Sequence, residues 1–153
     1  MNIRHLFALA AAPGRGCRSG STAAHNARGR HAGQILGGRY GYPDRSPYAS
    51  TKRGLIGFTE TLAIKFGDDG IRVNAIAPGA VAGERIQRVL QGRADTERRS
   101  LADVTADALS IQSPKHFTDP EDIATLARLL ASDSAKSVTG QTIAIDGGSK
   151  AAQ

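Results

Sequence analysis

Tryptophan is absent from these 153 residues, cysteine and methionine occur once each, and aromatic residues make up only 5%. A single thiol, Cys17, excludes a disulfide framework and any cluster of thiolate ligands, and no metal ligand set is expected among the site residues. No apolar run reaches the roughly 18 residues that a membrane-spanning helix needs, so no membrane association is expected. These absences point to a soluble chain in reducing surroundings, with the cytoplasm as its expected location. Acidic residues are scarce in one region only. Residues 1–47 hold seven Arg, no Lys and a single acid, Asp44, whereas residues 48–153 hold 13 basic and 13 acidic side chains. The whole net charge of +6 therefore sits in the first third. Nucleic-acid binding is not expected from it, because the arginines have no aromatic interleaving and no known binding module around them.

The charge asymmetry points to two segments with different histories or roles, and the domain division expected is 1–37 and 38–153. Residues 10–39 are dominated by Gly, Ala, Ser and Arg, and keep neither a 3.6-residue nor a two-residue period. Such a segment buries too little apolar surface to offset its ordering entropy, and it is expected to be disordered. Only residues 3–12, "IRHLFALAAA", have the content of a short helix.

From Pro47 the pattern changes. "SPYASTKRGLIGFTETLAIKFGDDG" predicts a helix, with Ser46 as its cap, Pro47 in its first turn and Leu55, Phe58, Leu62 and Phe66 on one stripe. Gly67 and "DDG" end it. "IRVNAIAPG" is a short apolar run between turn signals, as in a buried strand. Residues 82–113 are polar and mixed, which predicts short helices around a mobile loop. "DPEDIATLARLLAS" predicts a helix capped by Asp119. Pro120 sits at its first position, Glu121 and Asp122 at its positive end, and Ile123, Leu126, Ala127 and Leu130 on one face. "GQTIAIDGG" predicts a strand ending in a glycine turn. Helix, strand, helix, strand is the order of an α/β domain with a parallel sheet, although two clear strands are few for one.

Tyr48 and Lys52 are four residues apart on the first helix and so share a face. An unperturbed phenol titrates near pH ~10, and a neighbouring ammonium favours its phenolate form, which suits proton exchange with an alcohol or carbonyl oxygen. The spacing alone is common by chance on surface helices. Its context is not. Tyr-x-x-x-Lys at 48–52, Ile-Arg-Val-Asn at 71–74, Pro-Gly at 78–79, Asp-Pro-Glu-Asp at 119–122 and Thr-Gly-Gln…Asp-Gly-Gly at 139–148 occur in one order. In that order, residues 38 to about 148 resemble the short-chain dehydrogenase/reductase family, over the C-terminal half of its Rossmann-type domain. The fold expected is therefore α/β: the C-terminal part of a doubly wound parallel sheet, incomplete, behind a disordered N-terminal segment.

The resemblance implies roles. Tyr48 would be the acid in carbonyl reduction or the base in alcohol oxidation. Lys52 would hold the nicotinamide ribose hydroxyls and depress the Tyr48 pKa. Pro78, Gly79 and Val81 would meet the nicotinamide end of NAD or NADP, although Pro-Gly is also an ordinary turn. Residues 82–113 would form a lid over a small-molecule alcohol or carbonyl substrate. Asn2, in "NIRHLF", would be the upstream catalytic Asn, at a separation from Tyr48 a few residues longer than the family's.

Two family parts are missing. Thirteen positions before the Tyr the family carries a serine, where this chain has Ile35. No Gly-x-x-x-Gly-x-Gly turn follows an apolar strand, so backbone amides for a pyrophosphate are not provided. "GRGCRSG" at 14–20 has spaced glycines but neither the strand before nor the helix after, and reads as a linker. "QILGG" at 34–38 can be encoded so that a shift of one nucleotide yields Arg-Ser-Ser-Val-Ala, which would restore the serine at its proper distance. Residues from about 10 to 37 are therefore expected to be an out-of-frame reading of GC-rich DNA, with Met1 an internal start. An Arg-rich organellar transit peptide is the rival reading.

The function expected is a nicotinamide-dependent oxidoreductase of secondary alcohols and ketones, present as a fragment with impaired or no activity of its own. The alternative is a non-catalytic interaction subunit, a homo-oligomer or a hetero-oligomer with full-length relatives. The resemblance supports that alternative because the family's Tyr-bearing helix, last helix and last strand commonly form subunit contacts.

Overall fold

Arg72–Pro78 (β2) is the strand against which the other elements are laid. The computed structural model describes residues 5–9 and 46–149. Within them, His5–Leu9 (β1), β2 and Thr142–Ile145 (β3) form one sheet in the order β1-β2-β3, all parallel. The register runs from His5 opposite Arg72 to Leu9 opposite Ile76, and from Ala75 opposite Thr142 to Pro78 opposite Ile145. Residues 73–78 are all buried, so both faces of β2 are covered, as a parallel strand requires.

β1 corrects the expectation of a helix over residues 3–12 and adds a third strand to the two expected. A helix of about ten residues is marginal in water on its own, while an open edge of β2 offers five residues a full ladder of backbone hydrogen bonds. The non-local pairing wins over local propensity. Asn2 and all of residues 10–39, Cys17 and Ile35 among them, lie outside the described residues, as do the disorder and frame-shift expectations.

The described residues hold four α-helices, Ser46–Lys65 (α1), Glu84–Glu97 (α2), Leu101–Ser110 (α3) and Pro120–Ala131 (α4), of which α1 and α4 pack on the sheet. α1 begins with Ser46 itself as its first helical residue rather than as its cap. Its buried side is lined by Lys52, Thr59 and Ala63. Leu55, Leu62 and Phe66 are half-buried beside them, but Phe58 is 55% exposed, so the predicted stripe is rotated away from one of its members. Buried Thr59 is satisfied within the helix, its hydroxyl donating to the Leu55 carbonyl at 2.8 Å. α4 forms as its signals predict. The Asp119 side chain accepts from the Glu121 amide at 2.8 Å, and Leu130 enters a core with Ile76 and Ala135, flanked by Ile123, Leu126 and Ala127. Residues 82–113 are helical, as expected, but as a packed pair. They hold a 14-residue and a ten-residue helix packed on each other around Leu90, Ala94 and Val104. The Ser100 hydroxyl caps α3 by accepting from the Asp103 amide.

Ile-Arg-Val-Asn has a structural role. Asn74, 2% exposed in the middle of β2, donates to the Val138 carbonyl at 2.9 Å and accepts from the Gln141 amide at 3.1 Å. Arg72 donates to the carbonyls of Val138 and Ser132. The Thr139 hydroxyl accepts from the Val73 amide, and the Gly140 amide donates to the Val73 carbonyl at 2.7 Å. Gly140 has φ +70, a left-handed geometry suited to glycine, and a Cβ there would stand 3.4 Å from the Ala63 Cβ. Thus Arg-Val-Asn and Thr-Gly-Gln, far apart in sequence, form one clasp that aligns β3 on β2 and lies against Ala63 of α1. Asn74→Ala removes both bonds of that side chain and leaves buried partners behind. It is expected to cost about 2–4 kcal/mol, read as a lower urea midpoint at unchanged slope.

Candidate active site

The turn from α1 into β2 reverses the chain. The Ile71 amide donates to the Phe66 carbonyl and the Gly70 amide to that of Gly67, with Gly70 at φ +69. α1 therefore runs antiparallel to β2, and Ala63 near its end sits by Gly140, which is bonded to Val73 near the start of β2. Going back eleven residues from Ala63 to Lys52 covers about 16 Å at a helical rise. Going forward five residues from Val73 to Pro78 covers about 16 Å at a strand rise. Lys52 thus stands about level with Pro78, and Tyr48 one turn beyond, at the carboxyl edge of the sheet. That is the edge where ligands bind in open parallel α/β sheets.

Tyr48 is half-buried and its hydroxyl oxygen is shielded from solvent. The Lys52 ammonium lies 5.5 Å from the Tyr48 ring centroid, within reach of a cation–π attraction. Lys52 is only 7% exposed and makes no ion pair with a described residue. Desolvation holds its pKa below the ordinary lysine value of 10.5. A buried cation so placed offers N–H donors to hydroxyl groups, and its field favours negative charge on a neighbouring phenol oxygen.

The loop after β2 is held from beneath. The Gly79 amide donates to the Ile145 carbonyl at 3.0 Å. A Cβ on Gly79 would meet the Asp146 Cα at 2.8 Å, so only glycine fits between the ends of β2 and β3. Val81 forms an isolated parallel bridge with Thr118. Asp146 is buried and organises the Asp-Gly-Gly turn, its carboxylate accepting from the Gly148 amide and its carbonyl from the Ser149 hydroxyl. Pro78, Gly79 and Val81 lie at and just beyond the carboxyl end of β2, Tyr48 and Lys52 lie on the first turns of α1, and Asn2 lies outside the described residues. Thr118, which supports the loop, carries no local signal in the sequence, and Asp146 is legible there only as part of a turn. The Asp-Gly-Gly signal gave a turn, but nothing local says that it folds beneath Gly79.

Among the described residues no group of three His, Cys, Asp or Glu side chains is placed to hold a metal ion, and no helix is long and apolar enough to cross a membrane. The donor set suits a nicotinamide cofactor at one end. The buried Lys52 ammonium fits sugar hydroxyls, whereas a Gly-x-x-x-Gly-x-Gly turn for a pyrophosphate does not occur among the described residues.

The profile of a family described as enoyl-(acyl carrier protein) reductase matches residues 25–150. A 3-oxoacyl-(acyl carrier protein) reductase of Staphylococcus epidermidis is 38% identical over 112 residues, 72% of this chain and 41% of that protein. A 4-hydroxyisoleucine dehydrogenase solved with NADH superposes with a TM-score of 0.56 at 32% identity, over 74% of this chain and 42% of that one. An actinorhodin polyketide ketoreductase solved with NADPH gives a TM-score of 0.66 at 27% identity, over 74% and 43%. The chain spans less than half the length of the curated relatives it matches.

The lowered Lys52 pKa has a signed consequence for stability. Unfolded Lys52 keeps its proton up to pH 10.5, whereas folded Lys52 releases it sooner. Below the folded value the burial cost is present in full, and it is relieved as pH rises toward 10.5, so this residue's contribution to stability grows with pH in that window. The stability difference between the parent chain and Lys52→Met is expected to shift in the parent's favour from pH 7 to alkaline pH, by urea unfolding at each pH. A difference that stays flat would show that Lys52 is not desolvated.

Proposed function

This chain belongs to the short-chain dehydrogenase/reductase family of oxidoreductases, and from that premise we propose that it carries the proton-transfer part of a site for secondary alcohols and ketones. When bound, NAD(H) or NADP(H), the cofactors of its solved relatives, supplies or takes up hydride at the substrate carbon. In reduction, the Tyr48 hydroxyl donates its proton to the substrate oxygen; in oxidation, its oxygen accepts the alcohol proton. Lys52 holds the ribose hydroxyls and stabilises the negative charge left on the Tyr48 oxygen. Pro78, Gly79 and Val81 shape the nicotinamide side, and α2 and α3 cover the substrate. Asn2 is proposed as the upstream member of the catalytic set.

The observation that carries this reading is the pairing of Tyr48 with the 7%-exposed Lys52 at the carboxyl edge of the sheet. The missing glycine turn and Ile35 in the serine's place argue that these 153 residues alone turn over poorly or not at all. NADH and NADPH titrated onto the purified chain are expected to leave cofactor fluorescence unchanged at millimolar concentration. Any turnover observed is expected to fall by at least about a hundredfold in Tyr48→Phe. Micromolar binding would refute the reading of an incomplete cofactor site, and undiminished turnover in Tyr48→Phe would refute the role of Tyr48.

A second reading, an interaction subunit joined to a second copy or to intact relatives, draws support from apolar side chains left in solvent. Ile64 on α1 is 85% exposed and Leu129 on α4 is 51% exposed, together with Phe58. Co-expression with a full-length relative distinguishes it: a stable complex lost on Phe58→Lys with Ile64→Lys favours this reading, and separate elution opposes it.

A further inference from the structure

The described residues hold two separate apolar clusters. One joins the sheet to α4 through Ile76, Leu130 and Ala135. The other, Leu90, Ala94 and Val104, lies between α2 and α3, with Phe117 packed against it. The α2–α3 pair thus has a core of its own, and it enters and leaves the sheet layer through residues 79–83 and 111–119. These two connections meet at Thr118, which is 6% exposed. Its amide donates to the Ala80 carbonyl at 2.9 Å, and its carbonyl accepts from the Ala82 amide at 2.9 Å. Its hydroxyl donates to the Ile145 carbonyl at 3.1 Å, and that carbonyl also accepts from the Gly79 amide. One carbonyl at the end of β3 therefore ties down both the start of the loop after β2 and the segment returning from α3.

We propose that Thr118 is a positioning residue, whose hydroxyl anchors the bridge between Ala80–Ala82 and the return segment onto β3 and so sets the geometry of the loop at the cofactor edge. The proposal deepens the reading of Pro78–Val81 as the nicotinamide-side loop, and rests on it for its functional meaning. The structural reason is that the bridge spans a single residue pair. Two backbone hydrogen bonds outside a longer ladder hold an approximate distance, and a third contact from a different strand is needed to fix its position. Ordinary space-filling by a β-branched residue does not require the hydroxyl, which gives the two accounts different outcomes.

Amide hydrogen exchange on the whole chain tests this without cofactor, so its result is independent of whether the cofactor titration succeeds. The variants are Thr118→Val, which keeps the shape and loses the hydroxyl, Thr118→Ala, which loses both, and Thr118→Ser, which keeps the hydroxyl. In Thr118→Val and Thr118→Ala, the amides of Ala82 and of residue 118 are expected to exchange about five- to tenfold faster after correction for sequence. The Ala75 and Gly140 amides, which bond across β2 and the clasp, are expected to keep their rates, and Thr118→Ser is expected to stay within about twofold of the parent at all four. Unchanged exchange at Ala82 would overturn the proposal. So would equal acceleration at Ala75 and Gly140, loss of folding in both Thr118→Val and Thr118→Ala, or a Thr118→Ser variant as fast as Thr118→Ala.

Discussion

A single polar side chain in the centre of the sheet constrains most of this structure. Asn74 sits on a strand buried on both faces, where an amide group without partners would cost several kcal/mol. Both its donor and its acceptor are used, one on Val138 and one on Gln141. That requirement brings the segment between α4 and β3 across the start of β2. Once it lies there, Thr139 and Gly140 complete the hydrogen bonding of Val73, and Gln141 leads directly into the ladder of β3 through the Ala75 amide. Arg72 adds a second attachment to the same segment from the surface side. The apolar contacts of Ile76 with Leu130 and Ala135 then close over an arrangement already aligned. Hydrophobic burial supplies most of the energy, but it is not directional; the amide decides the register.

The same alignment accounts for the surroundings of Lys52 at the other end of the sheet. Because α1 is seated by Ala63 against Gly140, its first turns reach the carboxyl edge, and Lys52 becomes buried there without a carboxylate among the described residues to neutralise it. A buried ammonium is costly to keep, and that cost is what makes the position informative. A lysine on a solvated helix face would need no explanation. One held 5.5 Å from a tyrosine ring centroid has N–H donors to offer hydroxyl groups and a field to offer a phenol.

Beyond that edge, construction changes from interdigitated to modular. α2 and α3 pack on each other and meet the sheet layer at a few backbone contacts, chiefly the Val81–Thr118 bridge and the Ser113 amide on the Gly147 carbonyl. Gly79 lies so close to Asp146 that the loop after β2 has no slack at its root. The loop is thus firmly rooted beneath a separately packed helical pair.

Much of this was legible in the sequence, because many of its signals are local. The cap and proline of α4, the apolar run of β2, the glycine turn after β3 and the one-turn spacing of Tyr48 and Lys52 each depend on neighbours within a few residues, and chain chemistry alone sets them. The family resemblance likewise rested on short motifs in order. What the sequence left open was decided by contacts between distant residues. His5–Leu9 is a strand because β2 has an edge to pair, not because five residues prefer it. Phe58 faces solvent because α1 rotates to bury Lys52, Thr59 and Ala63. The polar text of residues 82–113 becomes two helices because each supplies the other's apolar face. The sequence by itself determined the elements whose signals are local, α1, β2, α4 and β3, and the one-turn spacing of Tyr48 and Lys52. Only the tertiary structure decided that Asn74 is a structural clasp, that Lys52 is buried, and that Thr118 and Asp146 lie beneath the loop, because partners tens of residues away set each of those environments.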